Sequence, residues 1–316
     1  MVESSETHNA DPRLSEIAPG FLAYAEVELG MAKQSLVKYR ECLGHICRMI
    51  GDRPISSYIK EDLFRLKQAM LAKNHSVSRQ VSFLATFKRI LRYASEEHGL
   101  ATMDPGLITF PRRPRRDVVY LTTEEISRFI NAIALTTKEG EISVRAVRFR
   151  ALVEALLGSA MRIGELLSLD RANIDFENRE ARIVGKGNKQ RTVFFTDRAI
   201  AWLETYLHLR HDDHPALFVS RVGGSRMARA DTWRPFVRYR GLAQIEKRLT
   251  PHMLRHTAAT HLLFNGCPVG HIKEILGHER LETTCRYYLG LDNRAAKKAH
   301  SEYLVYAEPE VDRARV

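Results

Sequence analysis

The sequence predicts a mainly α-helical chain with a small antiparallel β-sheet, arranged as an N-terminal helical bundle followed by a larger C-terminal domain. Three observations predict it. Apolar residues recur at helical spacing over most of the chain. A single stretch, residues 171–196, changes to short alternating strands. Between the two regions lies Phe110-Pro111-Arg112-Arg113-Pro114-Arg115-Arg116-Asp117, whose two prolines disfavour helix and whose four arginines disfavour burial.

Residues 1–12 read as a disordered lead and 13–109 as the bundle. Segment 14–29 places Ile17, Phe21, Leu22, Tyr24, Ala25 and Leu29 at helical spacing. A second helix spans 34–50 and stops at Gly51, a third spans 60–72, and a fourth spans 77–98 and ends at Gly99. Residues 110–118 form a linker, and the next domain spans 119–291. It opens with a capping box in which Thr122 caps and Glu125 reaches back. Helices are expected at 123–135, 143–158 and 162–169. Strands follow at 172–176, 180–184 and 191–195, with turns at Glu177-Asn178 and Gly187-Asn188. Helices return at 197–209, 231–241, 251–265, 268–276, 281–288 and 292–304, and the tail 305–316 has no helical pattern.

The 316 residues leave room for two domains with a sizeable core, and 44% hydrophobic content is ordinary for a globular protein. The charge is not ordinary. Lys and Arg number 49 against 38 Asp and Glu, a net charge of +11. That excess favours a polyanionic partner, although charge alone balances evenly between nucleic acid and none. Cys42, Cys47, Cys267 and Cys285 are too few for a disulfide framework in a chain this long. The spacing of Cys42, His45 and Cys47 is not that of a usual zinc site, so reduced core cysteines are expected. No apolar run approaches a membrane span, and Met1 to Arg13 is too polar for a secretory signal. The expectation is a cytoplasmic protein with no membrane partner.

Four segments of the second domain carry chemistry. They are Ala160-Met161-Arg162-Ile163-Gly164-Glu165, Gly185-Lys186-Gly187-Asn188-Lys189, His252-Met253-Leu254-Arg255-His256, and Leu276-Gly277-His278 with Tyr287 nine residues beyond His278. Phosphodiester cleavage must stabilise charge on non-bridging oxygens, supply a nucleophile and protonate a leaving oxygen. Arg162 and Arg255 suit the first task, because a planar fork holds two oxygens at once. Arg255 follows His252 by one helical turn, so both project from one face. Lys186, beside a hairpin turn, can protonate a leaving oxygen; Lys189 is its competitor. His252 and His278 can donate to phosphate or accept a proton, and Gly277 is a candidate helix C-cap. His256 and His261 share the helix of His252 and are read as structural. Tyr287 is the candidate nucleophile; Tyr288 points about 100° away on the same helix. Each piece alone has a bland reading as a surface salt bridge, a solvated turn lysine or a packing tyrosine. Their order and spacing together favour the chemical one.

The set Arg162, Lys186, His252, Arg255, His278 and Tyr287 resembles the tyrosine recombinase (phage integrase) superfamily. The stretches TPHMLRHTAATHLL at 250–263 and LGHERLETTCRYY at 276–288 are similar to those of Xer-type recombinases. The resemblance covers nearly the whole chain and implies that the first unit is a core-binding domain and the second a catalytic domain. It implies a two-domain clamp on duplex DNA with paired inverted-repeat half-sites. Tyr287 would form a 3′-phosphotyrosine, Arg162 and Arg255 would clamp the phosphate beside His252 and His278, and Lys186 would be the general acid. Glu165 would orient the site. Four protomers would act through a four-way junction, with no metal, ATP or other cofactor, and residues 292–316 would contact a neighbouring protomer, with folding back on their own domain left open as the alternative. Whether a second recombinase or an accessory protein takes part is left open. Arg112, Arg113, Arg115 and Arg116 of the linker, with Lys189, are expected on DNA phosphates. One departure stands out: family members usually have Gly where Ala160 stands. If that position needs positive φ, alanine costs about 1 kcal/mol there.

Two other functions remain in view. A type IB topoisomerase would use a similar site to nick and reseal one duplex, and a decayed recombinase could act as a non-catalytic DNA-binding regulator. The core-binding unit and the segment after Tyr287 disfavour the first; the complete set of six residues disfavours the second.

Overall fold

The computed structural model describes residues 11–112, 119–184, 190–220 and 224–277. The chain divides into two compact units, Met1–Arg115 and Arg116–Val316, and the division falls within the arginine-proline segment. The lead, the Gly187-Asn188 turn, the helices expected at 281–288 and 292–304, and the tail lie outside the described residues.

The first unit holds α1 (Leu14–Val27), α2 (Lys33–Ile50), α3 (Lys60–Ala72) and α4 (Val77–Glu96), with single 3₁₀ turns at Ile55–Ser57 and Pro105–Leu107. Their inward faces meet in one core containing Leu14, Phe21, Ile46, Tyr58, Leu66, Phe87 and Ile90. Ser76 caps α4 through its hydroxyl, and Gly51, at φ 88°, ends α2 where no side chain is tolerated easily. Cys42, Cys47 and Cys267 are free thiols, but only Cys42 is fully buried. Cys47 donates to Asp52 at 3.7 Å, and burial above all pushes its thiol up to about 11. Cys285 lies outside the described residues.

The second unit holds α5 (Thr123–Asn131), α6 (Val144–Ser159), α7 (Ile163–Ser168), a 3₁₀ turn (Arg171–Asn173), β1 (Ile174–Asp175), β2 (Glu180–Val184), β3 (Gln190–Phe194), α8 (Asp197–His208), α9 (Arg229–Leu242), α10 (Pro251–Phe264) and α11 (Val269–Leu276). The mainly helical fold with a small sheet is as expected. The sheet runs β1-β2-β3, antiparallel throughout, with Ile174 opposite Ala181 and Arg182 opposite Thr192. Ala181, Ile183 and Val193 take the inward positions of the strand alternation and join the core. Helix α6 is buried on nearly every side, with Ala151, Leu152, Val153, Ala155 and Leu156 inaccessible to solvent. Such a helix belongs at the centre of a domain; α8 and α10 pack against it.

The expected capping box is present. Thr122 N–H donates to Glu125 Oε2 at 2.8 Å, and Glu125 N–H donates to Thr122 Oγ1 at 3.2 Å. Most boundaries shift by one or two residues, and two of the differences have a local cause. Helix α5 ends at Asn131 rather than 135, because Thr137 turns back to bond Glu141 and Gly140 adopts φ 85°. The first strand shrinks to Ile174–Asp175, because the Asn173 side chain accepts from Asp170 N–H at 2.7 Å and winds the preceding residues into a turn.

Candidate active site

Helix α6 ends at Ala160, which adopts the left-handed conformation, φ 53° and ψ 21°. The position does require positive φ, so the alanine carries the expected strain of about 1 kcal/mol. Ala160 is 2% exposed and packs with Ala259, Ile272 and Leu276. This small cluster ties the end of α6 to α10 and α11.

Arg162 sits at the N-cap of α7, and Glu165 one turn inside it. Arg162 N–H donates to Glu165 Oε2 at 2.9 Å, and Arg162 Nη1 donates to Oε1 at 2.9 Å. Arg191 of β3 donates to the same carboxylate with both fork nitrogens, Nη1 to Oε1 at 3.1 Å and Nη2 to Oε2 at 3.0 Å. Burial alone would raise the Glu165 carboxyl. The guanidiniums of Arg191 and Arg162 outweigh it and hold Glu165 at about 2. Arg162 remains 42% exposed, with Nη2 3.5 Å from the carbonyl oxygen of Gly277.

Arg255 comes from α10 and is 3% exposed. Its Nη1 donates to the carbonyl of Ala160 at 2.9 Å, and its Nη2 donates to the carbonyl of Leu276. Gly277 caps α11 in the left-handed conformation at φ 59°, as its sequence context predicts. The ends of α6 and α11, 95 and 21 residues from Arg255 in sequence, thus meet on one guanidinium.

His252 lies in the first turn of α10, which is capped by the Thr250 hydroxyl. Its Nε2 is 3.0 Å from His256 Nε2, so one ring donates and the other accepts. Desolvation, then the neighbouring cationic groups, lowers both rings, His256 to about 4. His261 bonds the carbonyl of Leu121 at 2.9 Å, the structural role expected of it. His256, also read as structural from the sequence, instead pairs with a candidate site residue.

The structure thus brings together Arg162, Glu165, His252 and Arg255. Arg112 is exposed at the end of the first unit. Lys186, Lys189, His278, Tyr287, Arg113, Arg115 and Arg116 lie outside the described residues. Val184 and Gln190 end β2 and begin β3 on either side of the lysines, and Gly277 directly precedes His278. Two residues escaped sequence reasoning. Arg191 reads as an ordinary strand residue until its partner Glu165 is seen 26 residues earlier in the chain. Arg229 opens α9 with its guanidinium against Gly164, where an added Cβ would lie 1.9 Å from Nη2. That glycine therefore leaves room for the Arg229 guanidinium against the first turn of α7.

Comparison with known proteins places the chain in a family. Residues 119–294 match the phage integrase family. Tyrosine recombinase XerC of Chlamydia muridarum is 31% identical over 252 residues, 78% of each chain. XerC of Herpetosiphon aurantiacus is 29% identical over 88% of this chain and 91% of its own. XerD of Staphylococcus epidermidis is 27% identical over 92% of this chain and 99% of its own. The chain belongs to the phage integrase family, and within it to tyrosine recombinases of the Xer type. The fold is shared with the Tn1549 transposon integrase in complex with transposon right end DNA. The TM-score is 0.71 at 19% identity, over 91% of this chain and 99% of that one. It is shared also with a lambda integrase tetramer bound to a Holliday junction, at TM-score 0.68 and 15% identity, over 85% of this chain and 78% of that one.

Proposed function

We propose that this tyrosine site-specific recombinase cuts each strand with Tyr287 and conserves the broken bond as a 3′-phosphotyrosine. The Tyr287 oxygen attacks the scissile phosphorus, its proton passes to a neighbouring base, the bond to the 5′-oxygen breaks, and Lys186 gives that oxygen a proton. The 5′-hydroxyl of a partner duplex then attacks the phosphotyrosine and the tyrosine regains its proton. The phosphodiester energy is conserved, so neither ATP nor a metal is needed. Arg162 and Arg255 stabilise the charge on the non-bridging oxygens, with His252 and His278 beside them, and Glu165 orients Arg162.

The observation that carries this reading is the convergence of Arg162 and Arg255 on the end of α11, directly before His278. Arg162 keeps an exposed fork, whereas Arg255 is buried and held through both fork nitrogens by backbone carbonyls. The Xer relatives do not favour the nicking-resealing or regulatory alternatives. The DNA and tetramer in the related integrase complexes support DNA and further copies of this chain as partners, and paired inverted-repeat half-sites are the proposed form of that DNA. A second recombinase or accessory protein remains compatible with the same site. The reaction on DNA supports a cytoplasmic location; among the described residues no helix is long and apolar enough to cross a membrane.

A cavity of about 380 Å³, lined in part by Leu157, Ala160, Phe194, Leu262 and Ile275, opens in the second unit. Residues 292–304 of a neighbouring copy are its proposed occupant. They carry Ala295, Ala296, Ala299, Tyr303 and Leu304 at helical spacing and follow the nucleophile.

A suicide substrate that loses the 5′-end after cleavage tests the central claim. Wild type should accumulate covalent protein–DNA adduct with EDTA present, and Tyr287→Phe should bind the same DNA without adduct. An adduct that survives Tyr287→Phe but vanishes with Tyr288→Phe would move the nucleophile by one residue.

A further inference from the structure

We propose that Arg191 is a positioning residue for the cleavage step, holding Glu165 and through it Arg162. The inference rests on the clamp role given to Arg162. Arg191 stands one residue into β3, where the hairpin that carries Lys186 returns to the sheet. Its side chain is 16% exposed, and its fork reaches both oxygens of Glu165. The same carboxylate accepts Arg162 through its backbone N–H and through Nη1.

Arg191 also lies against Gly277. A Cβ added there would stand 2.6 Å from its Cζ and 2.7 Å from Nε and Nη1. Contact and a φ of 59° therefore both favour glycine at that position. One guanidinium touches α7 and the end of α11 while rooted in β3. Each of these segments carries or adjoins a residue of the proposed reaction: Arg162, His278 and Lys186.

Charge explains why a third group is needed. A one-to-one pair of Glu165 with Arg162 would neutralise the cation meant for phosphate. Two guanidiniums on one carboxylate leave the trio with a charge of about +1 at neutral pH. Arg191 supplies the second and takes over the flat bidentate contact, so Arg162 keeps its exposed face. Lysine cannot do this, because a point charge meets one oxygen and cannot lie flat on Gly277.

The test uses the full chain, with Arg191→Lys, Arg191→Ala, Gly277→Ala and Arg162→Lys as variants. Each is measured for folding by thermal unfolding, for DNA binding, and for adduct formation under single-turnover conditions. Three substrates are compared: ordinary DNA, DNA with sulfur replacing the bridging 5′-oxygen, and DNA with a methylphosphonate at the scissile position. The sulfur leaving group needs no proton; the methylphosphonate has no non-bridging anion to stabilise. Both Arg191 variants should fold and bind DNA yet cleave ordinary DNA on the order of 10²-fold more slowly. Bridging sulfur should not restore them, and methylphosphonate should bring them close to wild type. Gly277→Ala should slow cleavage alone but add little on top of Arg191→Ala, because both act through one contact. Wild-type cleavage by Arg191→Lys, or full rescue by sulfur, would overturn the proposal. Normal cleavage by Arg162→Lys would overturn the clamp reading itself, and Arg191's role with it.

Discussion

Ala160 concentrates several demands on one residue. Its left-handed backbone costs about 1 kcal/mol, and its carbonyl holds Arg255. Glycine would relieve the strain but lose a buried methyl and loosen the unfolded chain, so Ala160→Gly should change stability by less than about 1 kcal/mol. Ala160→Val should cost about 2–3 kcal/mol, since a β-branched residue fits neither the backbone nor the small cluster around it. Urea unfolding of the two variants checks both values. Arg162→Lys and Arg255→Lys should each lower adduct formation by on the order of 10²-fold or more while DNA binding falls little, because other phosphate contacts remain. Suicide-substrate and filter-binding assays separate the two effects. Much at this scale is legible in the sequence. The motif spacing marks Arg162, Glu165, His252 and Arg255, and the absent glycine marks the turn at 160. Arg191 and Arg229 are not legible there, because their roles come from partners brought close only by the fold: Glu165 and Gly277 for one, Gly164 for the other.

At the scale of elements, α10 carries the most strongly lowered histidine among the described residues. The folded His256 sits at about 4, below the ordinary value near 6.5 of an unfolded histidine. The unfolded chain therefore takes the proton first as pH falls. Stability should be level above about pH 7 and decline from about 6.5 towards 4. His256→Gln should flatten that decline, as measured by urea midpoints across the range; an unchanged slope would place the titration elsewhere. Glu165 acts lower. Its depressed carboxyl contributes stability above about 4.5 that is lost as pH falls towards about 2. Helix and strand periodicity locates α3 and β2 to the residue, since both have clean patterns and firm stops. The overruns at α5 and β1 arise where Thr137, Gly140 and Asn173 favour local turns that compete with regular structure.

At the scale of the whole molecule, the net charge of +11 and the arginines of 110–118 are proposed to set how DNA is gripped. Changing Arg112, Arg113, Arg115 and Arg116 to Ala should weaken binding to all sequences about equally. It should also flatten the slope of log affinity against log salt by up to about 0.9 for each phosphate no longer neutralised. A weakened site preference at an unchanged slope would mean that these arginines read bases. Removing residues 292–316 should leave single-site binding intact and weaken cooperative occupancy of paired sites in gel-shift titrations. Normal assembly and recombination by the truncated chain would refute the proposed occupant of the second-unit cavity.

An enzyme that cuts DNA gains from failing safely when damaged, and the mooring of Arg255 would give this one such a safeguard. The guanidinium proposed to grip phosphate also fastens the end of α6 to the end of α11. If α11 swings away, Arg255 loses a carbonyl and Arg191 loses its seat on Gly277 in the same motion. A half-opened protein would still carry its scattered basic residues, but it would hold the cutting tool with its fasteners undone.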